Sequence, residues 1–131
     1  MENFEYGFAK EVNLSFDEAI DKVTAELKEE GFGILTEIDV KETLKKKLDV
    51  DFRPYRILGA CNPPFAHKAL LAEEKIGLML PCNVVVFQNT AGKIVVSAVD
   101  PMASMQAVSN PGLAGVAEDV RSRLRKVIER V

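Results

Sequence analysis

The sequence predicts an α+β domain in which long helices pack on a mainly antiparallel sheet. Three observations carry that prediction. Two segments place apolar residues at helical spacing: Phe16, Ile20, Val23 and Leu27, then Leu113, Val116, Ala117, Val120, Leu124, Val127, Ile128 and Val131. Two valine-rich runs, Val84-Val85-Val86-Phe87 and Ile94-Val95-Val96, flank Thr90-Ala91-Gly92 as a hairpin does. The order of elements ends in that hairpin and a closing helix, and no phosphate-binding glycine loop is present. A doubly wound parallel sheet is therefore the second choice.

Taken in order, Phe4 to Val12 reads as a first strand. Ser15 and Glu18 form a capping box that opens the first helix, and Gly31 ends it. Phe32 to Val40 reads as a strand, with Ile34, Thr36 and Ile38 on one face and Leu35, Glu37 and Asp39 on the other. Asp39 and Glu42 cap a short helix marked by Leu44 and Leu48, and Asp49 to Pro54 is a loop. Tyr55 to Cys61 is the next strand. Asn62 stands as an N-cap with Pro63 at the first helical position, so a helix is expected to about Glu74. Ile76 to Leu80 reads as a short extended piece stopped by Pro81. The hairpin strands are Asn83 to Asn89 and Lys93 to Val99; both are apolar on both faces, so each needs cover on two sides. Asp100 to Ser109 is a loop, and Asn110-Pro111 opens the last helix.

The chain has 131 residues, 47% hydrophobic and 28% charged, which fits a single domain over residues 1–131. A domain of this size buries roughly 65–70% of its unfolded surface, enough for a core without disulfides. Net charge is −3 from 17 basic and 20 acidic residues, well mixed, so no basic footprint for nucleic acid stands out. The densest basic stretch, Lys41, Lys45, Lys46 and Lys47, suits a solvated helical face. The N-terminus has neither a basic nor an apolar leader-like region, and no apolar run approaches the ~18 residues of a membrane helix. A cytoplasmic protein with reduced thiols and no membrane partner is the expectation.

Chemistry concentrates in two phrases, Cys61-Asn62-Pro63-Pro64 and Leu80-Pro81-Cys82-Asn83, which hold both cysteines. Each cysteine sits where a strand-like run meets a proline. Cys61 precedes a helix N-terminus, an environment that favours thiolate. His67 follows within two turns, so Cys61, Cys82 and His67 make a candidate ligand set for zinc or a soft metal such as copper(I), with Met79, Met102 or Met105 as an optional fourth. Against this stands plain core packing, since free cysteine is among the most buried residue types. The 21-residue separation also lacks the local spacing of common metal sites. A redox pair and a pocket wall are the other readings. Asn62 and Asn83 could hydrogen-bond a ligand or satisfy backbone. Serine-triad, Walker and EF-hand patterns are absent.

At Tyr55-Arg56-Ile57-Leu58-Gly59-Ala60-Cys61-Asn62-Pro63 and Gly77-Leu78-Met79-Leu80-Pro81-Cys82-Asn83-Val84-Val85-Val86 the chain resembles the family catalogued as domain of unknown function 302. Phe8 to Gly31 resembles the family's opening strand and helix. The resemblance implies a TATA-binding-protein-like α+β fold (strand, helix, four strands, helix, here with inserted short helices) and a homodimer. It implies no activity, cofactor or catalytic residue.

The expected function is non-enzymatic binding of a small molecule or soft metal near Cys61 and Cys82, with Asn62 and Asn83 as polar handles. Two alternatives stand beside it. One is a thiol-dependent enzyme or redox protein using Cys61. The other is a homodimeric interaction module built on the apolar hairpin.

Overall fold

The structure, a computed structural model, describes residues 1–131. Six strands form one sheet: β1 (Glu2–Phe4), β2 (Gly7–Val12), β3 (Gly33–Asp39), β4 (Tyr55–Cys61), β5 (Cys82–Gln88) and β6 (Ile94–Val99). Their spatial order is β1-β2-β6-β5-β4-β3, and every neighbouring pair is antiparallel. The helices are α1 (Phe16–Glu29), α2 (Val40–Leu48), α3 (Pro63–Ala72), α4 (Pro101–Ser104) and α5 (Ala114–Arg130), with 3-10 turns at Glu74–Met79 and Pro111–Leu113. The α+β class and the antiparallel sheet are as predicted.

The core follows from two periodicities meeting. Every second strand residue (Phe8, Leu58, Ala60, Val84, Val86, Val96, Ala98) faces the helices. The apolar stripes of α1 (Ala19, Val23, Leu27) and α5 (Val120, Leu124, Val127, Ile128) lie on them. Neither long helix covers the opposite sheet face, which carries Ala9, Tyr55, Val85, Phe87, Val95 and Ser97 around an open hollow of about 950 Å³. Ser97 keeps its hydroxyl satisfied there by donating to the Phe8 carbonyl at 3.0 Å.

The helix ends obey their local signals. Ser15 accepts from the Glu18 amide at 3.1 Å, and the Glu18 carboxylate accepts from the Ser15 amide at 3.0 Å, closing the capping box. At the other end Gly31 takes φ +86. Its amide donates to the Lys28 carbonyl and the Phe32 amide to the Leu27 carbonyl, while the Leu27 and Phe32 side chains join the same core. Asp39 caps α2 through the Glu42 amide at 2.9 Å.

Five expectations need correction. The first strand, Phe4 to Val12, is two: the chain turns at Glu5-Tyr6, and Glu2–Phe4 pairs back on β2. In β3 the simple alternation breaks at a bulge between Ile34 and Thr36, so Ile34 shares its face with Glu37 and Asp39, and Leu35 is the extra residue. Ile76 to Leu80 is not extended but a 3-10 turn, which buries Ile76 against Ala69, Met105, Leu113 and Ala117 while Leu78 points outward. The helix after Asn62 stops at Ala72, short of Glu74. The loop at Asp100 to Ser109 contains the short α4, capped by Asp100 accepting from the Met102 amide at 2.9 Å. The last helix does begin at Asn110-Pro111, through a 3-10 turn; the Asn110 side chain accepts from Gly112 and ties back to the Ala72 carbonyl at 2.8 Å.

Candidate functional site

The two cysteine phrases are brought together by strand pairing. β4 and β5 run antiparallel with Ala60 opposite Cys82 and Gly59 opposite Asn83. The peptide between Leu80 and Pro81 is cis. A β-carbon on Gly59 would collide with Thr36 Oγ1 and come within 2.8 Å of Pro81 Cγ, so glycine is what lets β3 and Pro81 close on β4.

At this end of the sheet lies a half-enclosed cavity of about 280 Å³, bounded by the sheet, α3 and α5. Its walls are almost wholly apolar. Phe65, Ala66 and Ala69 present one side of α3, and Val116 and Val120 present α5. Cys61 and Cys82 both line it. The alanines matter: two small side chains on the inner face of α3 leave the space that larger ones would fill. Leu35 and Leu70 also line the cavity yet are 67% and 44% exposed, which puts them at its mouth.

The two thiols differ. Cys61 is half-buried, whereas Cys82 is buried within the main core. Loss of hydration pushes the Cys82 thiol up from an ordinary value of 9.0 to about 11, with a smaller upward contribution from neighbouring Cys61. Cys82 is therefore a neutral thiol at pH 7 and a wall of the cavity.

Asn62 occupies the N-cap position of α3, but its side chain makes no cap hydrogen bond. Its amide nitrogen instead donates to the Glu30 carbonyl at 3.1 Å, serving the C-terminal end of α1. That carbonyl also accepts from Arg123 at 3.3 Å, and the Glu30 carboxylate receives Arg130 at 3.0 Å. The expected cap is thus replaced by a tie between two helices. Because α3 opens Pro63-Pro64, two first-turn positions have no N–H to cap.

The remaining sequence candidates separate. Asn83 is exposed and points to the opposite sheet face from Cys82, because neighbouring strand residues alternate. His67 lies on the exposed side of α3 and is not among the cavity walls. Cys61, Cys82 and His67 do not form a metal-holding cluster, nor does any other group of three His, Cys, Asp or Glu. Of the methionines, Met105 lines the cavity, while Met79 and Met102 do not.

Sequence reading missed Phe65 and its surroundings. The Phe65 ring is a cavity wall with the Arg123 guanidinium 5.3 Å and the Lys68 ammonium 5.6 Å from its centroid. The Phe65/Lys68 spacing of three on one helix was the available signal. Arg123, from α5, had none.

No curated protein matches the chain. Among solved structures, an uncharacterised conserved DUF302 protein from Bacillus stearothermophilus is similar: it is 32% identical, covers 95% of this chain and 96% of its own, and superposes with a TM-score of 0.88. Residues 8–131 match the family described as Domain of unknown function DUF302, a span that holds both cysteine phrases and all of the cavity, and the chain belongs to that family.

Proposed function

We propose that the protein binds a small apolar molecule, without catalysing a reaction on it, in the cavity walled by Cys61 and Cys82. The observation that carries this reading is the cavity itself. At about 280 Å³ it lies just below the roughly 300–1,000 Å³ of drug-sized ligand pockets, which suits a smaller molecule, and apolar pockets with few polar groups are the usual form of such sites. Three elements that do not touch in sequence leave it unfilled, whereas well-packed cores keep few voids above the size of a water molecule.

The test is thermal stabilisation by octan-1-ol, a plain apolar probe. Ligand that binds only the folded state raises Tm, and saturation at about 100 times Kd contributes roughly 2.7 kcal/mol. The expected result is a rise of several degrees in the natural protein and none in Ala66→Phe, whose ring fills the cavity. Equal shifts in both proteins would overturn the reading.

A second reading concerns assembly. The open sheet face with its stacked Tyr55 and Phe87 rings, 5.1 Å apart, is apolar and uncovered by either long helix, which supports a homodimer formed across it. Its test is the mass in solution.

A further inference from the structure

The geometry points to an acidic amphiphile as the ligand class: an apolar tail in the cavity and one carboxylate outside, met by Lys68. This rests on the cavity reading above and goes beyond it by assigning charge. No carboxylate, ammonium, guanidinium or imidazole lines the cavity, whose walls are apolar side chains, two thiols and one amide. A charged group therefore stays at the mouth or beyond it, because burying it unpaired is costly.

Two cations pack on a wall of the cavity. Lys68 lies over the Phe65 ring and takes part in none of the protein's ion pairs. Arg123 lies over the same ring. The carboxylate paired with it, Glu30, is shared between Arg123 and Arg130 at 3.8 and 3.0 Å, so those three side chains keep a positive balance. The first turn of α3 contains no acidic residue and has no side-chain cap, which leaves the positive end of its dipole unopposed. Glu73, the acidic residue at the far end of α3, is held by Asn110 at 3.1 Å.

Size limits the tail. A volume of 280 Å³ has room for roughly nine methylene-sized groups, taking a water molecule's share of ~30 Å³ as the measure. A medium-chain carboxylate fits, and a long-chain one leaves much of its tail outside.

The experiment compares octanoate, octan-1-ol and octylamine on the natural protein and on Lys68→Glu, by calorimetric titration at low ionic strength. The expected result is that octanoate binds about tenfold more tightly than octylamine, that Lys68→Glu removes or reverses this preference, and that octan-1-ol binds both proteins alike. Ala66→Phe should abolish binding of octanoate, which places the tail in the cavity. If all three probes bind and Lys68→Glu changes none of them, the carboxylate assignment is overturned while the cavity reading stands. If octan-1-ol fails to bind, both fall.

Discussion

Cys61 and Cys82 share a cavity and differ in what surrounds them, and that difference decides their chemistry. Cys82 is buried among valines and Ala60 and its thiol stays protonated, so an alkylating reagent at neutral pH should modify Cys61 in the folded protein well before Cys82. Mass spectrometry with and without denaturant checks this; equal modification of both in the folded state would contradict the placement. The same burial has a consequence for stability. A thiol whose pKa is raised on folding keeps its stabilising contribution below the unfolded value near 9 and loses it as pH rises through about 11, because the unfolded chain releases the proton first. The two-unit gap corresponds to roughly 2–3 kcal/mol lost across that window. Denaturant unfolding from pH 8 to 11 should show a shallower decline in Cys82→Ala than in the natural protein. Tyr55 shifts in the same direction, chiefly through burial, and is common to both proteins.

At the scale of elements, the junction between α1 and β3 shows how local signals are reused. Gly31 was legible as a helix stop, and it is one. Its neighbourhood was not legible, because the group that tightens it is Asn62, thirty-one residues away, with Nδ2 at 3.2 Å from where a β-carbon would sit. Gly31→Ala then meets two penalties, a left-handed backbone and a close approach to Asn62, for a loss of roughly 1–2 kcal/mol. A shift in the denaturant midpoint with unchanged slope measures it, and an unchanged midpoint would refute it. The bulge in β3 and the 3-10 turn at Glu74–Met79 were illegible for a related reason. In both, short-range pattern pointed to extended chain, and packing of one residue (Ile34 on the helix side, Ile76 in the smaller core) set the actual path. Helical stripes were read correctly because a run of about four turns repeats its signal, whereas a five-residue segment states its period barely twice.

For the whole molecule the one-sided layering matters most. Both long helices lie on one sheet face, so the hairpin strands, apolar on both sides, have one side left open. If a second copy covers it, the protein sediments at twice its 14.5 kDa chain mass, and Phe87→Asp, which sets a charge beside Tyr55, shifts it to the single-chain mass. A natural protein that stays at the single-chain mass at high concentration would exclude that dimer. No helix is long and apolar enough to cross a membrane.

The sequence by itself determined the α+β class, the two long helices with their caps and the central hairpin. Each is encoded by neighbours a few residues apart, through periodicity, capping or turn chemistry. Only the tertiary structure decided that Cys61 and Cys82 wall one cavity, that His67 and Asn83 face elsewhere, and that Asn62 serves α1 instead of its own helix. Those facts depend on strand order and on which side a helix turns inward, and they are settled by packing between segments that no local pattern connects.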